Sequence, residues 1–300
     1  MLDKFELRFD LADCQNIWQR VKKGSVDPTG RYISGKIRNL KVTQNTNSLR
    51  ICGSMGKFLN GENITHFERR DAKRGFDEIA EISGLDVSKG EIVYFEFGDV
   101  FYMSEEPKEY LKIFDYDKKR TRIQYGKADL ETVEYRTETG QYSFCAYDKK
   151  AECADKGGDI PEDCRDDNLL RMELRFQNPK LTFGRTVRAY DFADGVFWQG
   201  LVKRFYDFYM AIPKSGKDVF IDRTKEISYA ELKNLFAVAF RELNPEEYAM
   251  AVADADLSEK GARLLREWEK AIKTADYTAR GRKEAELDGA VNYLCGCWLH

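Results

Sequence analysis

Two short segments read Tyr142-Ser-Phe-Cys-Ala-Tyr-Asp-Lys-Lys-Ala-Glu152 and Leu169-Leu-Arg-Met-Glu-Leu-Arg-Phe176. They lie at the two ends of the stretch 141–178, and both are predicted to be strands. The second segment alternates a charged set with an apolar set, Arg171, Glu173 and Arg175 against Met172, Leu174 and Phe176. Because successive side chains of a strand point to opposite faces, this strand has one apolar and one charged face. The charged face is either solvated or part of a site.

The first segment contains a tyrosine that is followed at once by acidic and basic residues. Tyr147 precedes Asp148 and Lys149, and Glu152 closes the same run. A phenol with its free pKa of about 10 is a weak nucleophile and needs a nearby cation or metal ion to become phenolate. Tyr147 is therefore a candidate nucleophile, and Tyr142 is the second choice.

The rest of the pattern predicts an α+β fold. Runs typical of strands lie at 4–9, 32–42, 48–52, 92–103, 122–125 and 132–142. Helices are predicted at 14–22, 71–83, 107–114 and in the segment through Trp198, Phe205 and Tyr209. The segment 53–63 is predicted to be a loop, and 151–168 a loop or a partly helical insertion. Strands and helices in this order are typical of a mainly antiparallel sheet with packed helices.

The C-terminal third is predicted to be a separate unit. Residues 213–216 read Pro-Lys-Ser-Gly, which is typical of a linker, and 228–240 and 258–275 have helical periodicity. We therefore predict a main domain at 1–212 and a small helical accessory domain at 213–300. Cys295-x-Cys297-x-x-His300 has three metal-capable side chains but lacks an evident fourth ligand for structural zinc.

The composition is that of a folded protein without a membrane segment. Hydrophobic residues make up 42% of the chain, and no apolar run reaches about 18 residues, the length that a transmembrane helix needs. The opening Met-Leu-Asp-Lys-Phe is not typical of a signal peptide. Seven scattered cysteines favour reduced thiols over a disulfide framework. We expect a cytoplasmic protein that makes no membrane contact.

Four stretches, taken in order, resemble the replication initiators of rolling-circle elements, the filamentous-phage gene II/X type and its plasmid relatives. The resemblance covers roughly residues 1 to 210. Its stretches are the opening Met1-Leu2-Asp3 with the strand after it, Gly53-Ser-Met-Gly-Lys57-Phe-Leu-Asn-Gly-Glu-Asn63, Val93-Tyr-Phe-Glu96-Phe-Gly98, and the pair Ala146-Tyr147-x-Lys149 and Leu170-Arg171-x-Glu173.

The resemblance implies a palm-like sheet and an enzyme that nicks DNA. In such proteins a tyrosine attacks one strand at an origin, forms a 5′-phosphotyrosine link, releases a 3′-OH primer and later rejoins ends. Among the sixteen tyrosines, the motif favours Tyr147 as this nucleophile. Lys149 is expected to stabilise the pentavalent phosphate or to lower the pKa of the phenol, unless it is a surface lysine.

The resemblance also implies a metal held by carboxylates. His66 and His300 are the two histidines of the chain, so it has no His-hydrophobic-His metal strand. Oxygen ligands suit Mg²⁺ or Mn²⁺. Glu96 and Glu173 are the predicted ligands, and Asp148 and Glu152 are reserves. Glu96 departs from the Asp of the family.

The charge is distributed unevenly along the chain. The net charge is −3, but the window 31–75 holds ten cations and three anions. Local basic surface on such a protein is typical of a DNA footprint, although a solvated face is the alternative. The predicted DNA contacts are Lys57, Asn63, Arg69, Arg70, Arg171 and Arg175.

Two other functions are compatible with the sequence. Tyr94 stands where the family has Arg, which together with Glu96 motivates a DNA-binding repressor or copy-control relative without chemistry. The net charge of −3 motivates an accessory protein of a phage or plasmid that binds another protein. For the initiator, the expected partner is DNA in a bacterial host, either single-stranded or as a supercoiled origin. A host helicase, a host polymerase and a second copy of the chain are further candidate partners.

Overall fold

The fold is described from a computed structural model of the 300-residue chain. The structure describes residues 2–14, 16–28, 31–126, 130–157, 160–214 and 277–299. The helices predicted at 228–240 and 258–275 lie outside the described residues.

One ten-stranded sheet forms the centre of the fold. All the strand pairs in it are antiparallel, in the order β2-β3-β4-β5-β1-β6-β10-β9-β8-β7. Its strands are β1 (Leu2–Asp10), β2 (Lys23–Val26), β3 (Ile33–Ile37), β4 (Leu40–Gln44), β5 (Ser48–Ser54), β6 (Glu91–Met103), β7 (Arg120–Tyr125), β8 (Thr132–Thr137), β9 (Tyr142–Asp148) and β10 (Asn168–Phe176). The predicted α+β class with a mainly antiparallel sheet is confirmed.

Helices fill the connections between the strands. Those that the structure describes are α1 (Ile17–Arg20), α2 (Met55–Asn60), α3 (Arg69–Ser83), α4 (Pro107–Leu111), α5 (Lys149–Asp155), α6 (Pro179–Phe183), α7 (Gly195–Met210) and α8 (Tyr277–Leu299). Short 3₁₀ helices lie at Leu11–Asp13, Val87–Lys89, Glu162–Cys164 and Ala189–Ala193.

The two faces of the central strands differ in chemistry. Residues directly opposite each other on paired strands share a face, and Phe176 lies opposite both Phe95 of β6 and Tyr142 of β9. Helices cover this apolar face: Phe76 of α3 packs on Phe5 with ring centroids 5.5 Å apart, and Trp198 of α7 on Phe97 at 5.2 Å. The opposite face carries the charged residues of β10.

Two local predictions were wrong. The predicted loop at 53–63 contains helix α2. The Ser54 side chain caps the start of this helix by accepting a hydrogen bond from the Lys57 amide. Gly61 ends the helix in the left-handed region, with φ of 84°. The single strand predicted at 32–42 is two strands, because the chain turns at Arg38, where φ is 51°. The helix predicted at 14–22 does form, but it is shorter than predicted: α1 covers Ile17–Arg20.

The chain divides into two compact units. One unit comprises Met1–Pro213 with Leu287–His300, and the other Lys214–Glu286. In the first unit Leu287, Val291 and Cys295 of α8 are buried in the apolar core. The predicted accessory domain at 213–300 stays a prediction, since most of it lies outside the described residues. No helix in the described ranges has the length and hydropathy to cross a membrane.

Candidate active site and metal centre

A bulge in the first strand directs two consecutive side chains to the charged face. Leu2 lies opposite Phe97 and Phe5 opposite Phe95, so three steps along β1 match two along β6. Leu2 and Phe5 are fully buried, whereas Asp3 and Lys4 both line a cavity on the charged face. The extra residue of a bulge commonly redirects a side chain in this way.

Three carboxylates from adjacent strands meet at this point. Asp3 of β1, Glu96 of β6 and Glu173 of β10 each offer an oxygen, and these oxygens lie within 4.8 Å of one another. All three residues are buried. Sequence reasoning predicted Glu96 and Glu173 as ligands but missed Asp3, although the opening Met-Leu-Asp was part of the resemblance. The signal for Asp3 was its position at the start of a strand.

Two arginines of β10 hold the carboxylates. Arg171 donates from Nη2 to Asp3 Oδ2 at 2.8 Å, from Nε to Glu173 Oε2 at 3.0 Å and from Nη1 to the Asn63 carbonyl at 3.1 Å. Arg175 Nε donates to the other oxygen of Glu173 at 2.8 Å and lies 3.9 Å from Glu96 Oε1. Three carboxylates against two guanidinium groups leave one negative charge in the cluster.

The surplus charge falls on Glu96. Burial, followed by the charges of Glu173 and Asp3, raises the pKa of Glu96 to about 7. Burial also acts to raise the pKa of Asp3, but Arg171 and the hydrogen bonds from Ser54 and Asn63 outweigh it and hold that pKa below its usual value. The Tyr94 hydroxyl donates a hydrogen bond to Glu96. Glu96 is thus the carboxylate whose negative charge is least balanced by neighbouring cations.

The cluster can hold a hard divalent cation. All three ligand groups are carboxylates, the donors that Mg²⁺ and Mn²⁺ prefer. The raised pKa of Glu96 marks a buried charge that a cation would compensate. The donor set therefore fits the predicted kind of metal, without selecting between the two ions.

Tyr147 lies beside this cluster. It is opposite Arg171 in the pairing of β9 with β10, and its hydroxyl donates to Glu173 Oε2 at 3.4 Å. Burial, followed by the charge of Glu173, raises the pKa of Tyr147 well above its ordinary value, so the phenol is protonated. Tyr142, the second choice, lies on the apolar face, where its ring stacks on Phe176 at 5.8 Å. The structure thus separates Tyr142 from the carboxylates.

Lys149 and the reserve carboxylates have partners within α5. The side chain of Lys149 is 1% exposed, so the surface-lysine alternative is wrong, and its Nζ donates to Glu152 Oε2 at 2.8 Å. Glu152 also accepts from Lys156 at 2.5 Å; although its burial acts to raise its pKa, these two lysines lower it to about 2. Asp148 caps α5 by accepting from the Lys150 and Ala151 amides. These contacts occupy the side chains that were held in reserve.

A cavity of about 550 Å³ opens at the cluster. It is lined by Tyr147 and the three carboxylates, and the described residues of its wall include seven carboxylates and four cations. The four cations are Lys4, Lys57, Lys156 and Arg175. An anionic phosphodiester would meet net repulsion here unless a further cation were bound.

The predicted DNA contacts divide into three groups. Lys57, Asn63 and Arg175 line the cavity at the cluster. Arg69 and Arg70 line a different cavity, of about 600 Å³. Arg171 is 0% exposed, so the solvated-face alternative is wrong for it, and its burial argues against a direct DNA contact, which stays a prediction.

Comparisons with known proteins give distant likenesses among the solved structures. No family model matches the chain, and no curated protein matches it. A solved structure described as a rolling circle replication initiator protein from Geobacillus stearothermophilus matches with a TM-score of 0.39 and 11% sequence identity. The match covers 79% of this chain and 95% of that chain. A likeness of this size does not show the function of this chain.

Proposed function

We propose that the chain is a rolling-circle replication initiator that nicks one DNA strand at an origin. The observation that carries the proposal is the contact of the Tyr147 hydroxyl with Glu173, 3.4 Å away, at a cavity where three carboxylates can hold a metal ion. A protonated phenol, a carboxylate that can accept its proton and a site for a phosphate-binding cation are the parts that a tyrosine nickase needs.

Asp3, Glu96 and Glu173 would hold Mg²⁺ or Mn²⁺. Such an ion, when bound, supplies positive charge that polarises a scissile phosphate. Lys4, Lys57 and Arg175 line the same cavity and would bind the phosphates beside the scissile one. Asn63 would act indirectly, because its side-chain amide donates to Asp3 Oδ2 at 3.0 Å.

The chemical step moves one proton and exchanges one bond. The Tyr147 oxygen attacks phosphorus in line, and its proton passes to Glu173 Oε2, the acceptor within hydrogen-bond reach. The bond from phosphorus to the 3′-oxygen breaks, and that oxygen takes up the proton from Glu173, relayed by water, so the carboxylate is restored. The products are a 5′-phosphotyrosine and a free 3′-OH. Because the covalent link conserves the energy of the broken bond, a second transfer can rejoin ends.

Lys149 would stabilise the charge that develops on the phosphate. Its Nζ is bound to Glu152 at 2.8 Å, so a direct phosphate contact requires the ammonium to exchange partners. A host polymerase would extend the 3′-OH and a host helicase would open the duplex, in the cytoplasm of a bacterial host. A homodimer stays open.

A second candidate is a DNA-binding repressor or copy-control relative without cleavage. Its supporting observation is that both Glu173 oxygens already accept arginine hydrogen bonds, so the cluster is largely compensated by its own side chains. The protein-binding accessory function has no comparable support in the site.

The test is covalent capture of DNA. The protein is incubated with supercoiled DNA from its own replicon and Mn²⁺ or Mg²⁺, and a denaturing protein gel is examined for an adduct. An adduct that is absent in Tyr147→Phe and in EDTA supports the proposal. Tyr142→Phe is the matched control, and it should still form the adduct. Binding of the same DNA without any adduct would replace the nickase with the second candidate.

A further inference from the structure

A second surface of the first unit combines cations with exposed aromatic rings. The basic cavity, of about 600 Å³, is lined by Arg69, Arg70 and Lys73 among others, with Glu68 as the one carboxylate among its described residues. The tyrosine groove, a neighbouring cavity of about 430 Å³, is lined by Tyr102 and Tyr293 among others. Tyr102 is 55% exposed and Tyr293 is 76% exposed. None of these residues lines the cavity at the carboxylates.

The two cavities are adjacent. His66 and Cys297 line both of them, so the basic cavity and the tyrosine groove meet along these two side chains. Asp99 is 1% exposed, and its carboxylate lies within hydrogen-bond distance of His66 Nδ1, at 2.8 Å, which fixes the imidazole at the junction. The combined surface therefore has a basic end, a fixed junction and an aromatic end.

The two tyrosines at the aromatic end are fixed in position by the surrounding protein. The Tyr102 hydroxyl and Cys164 Sγ are 3.4 Å apart, a contact that anchors the far edge of the ring while more than half of the residue is exposed. Tyr293 projects from α8, whose Leu287, Val291 and Cys295 are buried in the core. Large exposed rings on fixed backbone are typical stacking platforms for unpaired bases.

We propose that the basic cavity and the tyrosine groove together bind single-stranded DNA outside the cleavage site. The inference rests on the proposed function, since a nicked or extruded strand is then the available ligand. Arg69, Arg70 and Lys73 take backbone phosphates, and Tyr102 and Tyr293 stack on bases. The sign of charge supports this occupant. Among the described residues, the basic cavity and the tyrosine groove together have three cations and two carboxylates, whereas the carboxylates outnumber the cations at Tyr147.

The position of the surface connects it with the cleavage site. Glu96 and Tyr102 both lie on β6, six residues apart, which is roughly 20 Å along a strand. Asn63 lines the cavity at the carboxylates, and the next residue, Ile64, lines the tyrosine groove. The tyrosine groove therefore lies near enough to the cleavage site for one DNA strand to contact both.

Binding is tested without cleavage, so that the two proposals fail separately. The full-length Tyr147→Phe protein is titrated in EDTA with fluorescent oligothymidylate and with a duplex of equal length. We expect Tyr102→Ala and Tyr293→Ala each to weaken oligothymidylate binding about tenfold, and Tyr→Phe at either position to restore it. Arg69→Ala, Arg70→Ala and Lys73→Ala should weaken binding and reduce its salt dependence.

Matched controls lie on other surfaces. Tyr116→Ala removes a tyrosine that is 66% exposed, and Lys203→Ala removes a lysine whose side chain is 74% exposed. Both variants should keep wild-type affinity. Circular dichroism of each variant separates loss of binding from loss of the fold.

Cys297 gives an independent footprint because it is exposed at the junction of the cavities. Saturating oligothymidylate should slow its alkylation by N-ethylmaleimide at least fivefold, as measured by mass spectrometry. Unchanged alkylation, or unchanged affinity in the two tyrosine-to-alanine variants, overturns the proposal, as does equal affinity for duplex. If alkylation slows when the protein concentration alone is raised, without DNA, the surface binds a second copy of the chain. That outcome also overturns the proposal.

Discussion

The guanidinium of Arg171 donates to the Asp3 carboxylate at 2.8 Å, joining residues 168 positions apart in the sequence. Arg171 is completely inaccessible, and Asp3 is nearly so. The same guanidinium also holds Glu173 and the carbonyl of Asn63. One arginine of β10 thus fixes two of the three carboxylates and the segment after α2. The site is organised by buried charge pairs on neighbouring strands.

Removing this arginine should be costly. Arg171→Ala leaves two buried carboxylates without their cation, and loss of one partner of a buried pair costs about 3–5 kcal/mol. Urea unfolding of the full chain measures the change. Arg50→Ala is the matched control: its partner Glu6, at 2.7 Å, is partly exposed, and such a pair contributes about 0.2–1 kcal/mol. Similar losses in both variants would contradict this account of the cluster.

The alternation in β10 was sufficient to predict a strand with one charged face. It could not show that Arg171 and Glu173 are buried, because that depends on the flanking strands β6 and β9 and on what covers them. Asp3 was missed for a related reason: a bulge in β1 brings it to the cluster, and a bulge has no period in the sequence. Helix α2 was missed although Ser54 and Gly61 are typical capping residues.

The separation of Tyr147 from Tyr142 shows the same limit. Because they are five positions apart on one strand, the two residues lie on opposite faces, a consequence of the period of two that the choice of Tyr142 as second candidate did not use. Which face carries the chemistry depended on the partners of β10. The contacts of Lys149, Asp148 and Glu152 were not predicted, because a short helix begins there and uses these side chains in and before its first turn.

A glycine opposite Glu173 should be required for the site. A Cβ on Gly98 would lie 2.1 Å from the Met172 carbonyl oxygen and 2.4 Å from Glu173 Cα, so backbone would have to move. We expect Gly98→Ala to lower the free energy of unfolding by about 2 kcal/mol or more, as overpacking does. It should also weaken Mn²⁺ binding, because Glu173 moves with its strand. Thermal denaturation and metal titration measure the two effects.

The control for this variant is Gly200→Ala. Gly200 lies within α7, and nothing would lie within 4 Å of an added Cβ. Alanine is favoured over glycine in a helix by up to about 1 kcal/mol, so the control should be neutral or stabilising. A Gly98→Ala protein that retains wild-type stability and Mn²⁺ affinity would show that the strands accommodate the methyl group.

Metal binding should depend on all three carboxylates. Asp3→Asn, Glu96→Gln and Glu173→Gln each remove one charged oxygen donor from the cluster. Since loss of even an outer contact to a metal ligand typically costs 10–100-fold in affinity, we expect each variant to bind Mn²⁺ at least about tenfold more weakly. The loss of free Mn²⁺ signal in electron paramagnetic resonance titrations measures binding directly.

Glu131→Gln is the control for the metal titration. Glu131 lines the same cavity but is outside the group of three carboxylates. Its loss should leave the affinity for Mn²⁺ within about threefold of wild type, as expected when surface electrostatics alone changes. If Glu131→Gln weakened Mn²⁺ binding as much as the three other variants, the acidic cavity would attract cations without a defined site. If the wild-type chain did not bind Mn²⁺ at all, the metal would be removed from the mechanism.

The pH dependence of stability should reveal Glu96 in protein kept free of metal by EDTA. Its pKa rises from 4.5 in the unfolded chain to about 7 in the fold, so the folded chain binds the extra proton between these values. The contribution of this group is fully present below pH 4.5 and is lost as the pH rises through 7. Glutamine keeps an oxygen that can accept from Tyr94 and carries no charge to bury. Glu96→Gln should therefore be more stable than wild type at pH 8, by roughly 1 to 3 kcal/mol, with the advantage declining toward pH 5.

Glu152→Gln should behave in the opposite sense and serves as the control. The pKa of Glu152 is lowered to about 2, so its stabilising contribution is present above pH 4.5 and is lost only as the pH falls toward 2. Its loss should destabilise the fold by a constant amount between pH 6 and pH 8. Chemical unfolding of wild type and both variants at each pH gives the differences. A Glu96→Gln difference that does not change between pH 5 and pH 8 would mean that the surplus charge of the cluster is not on Glu96.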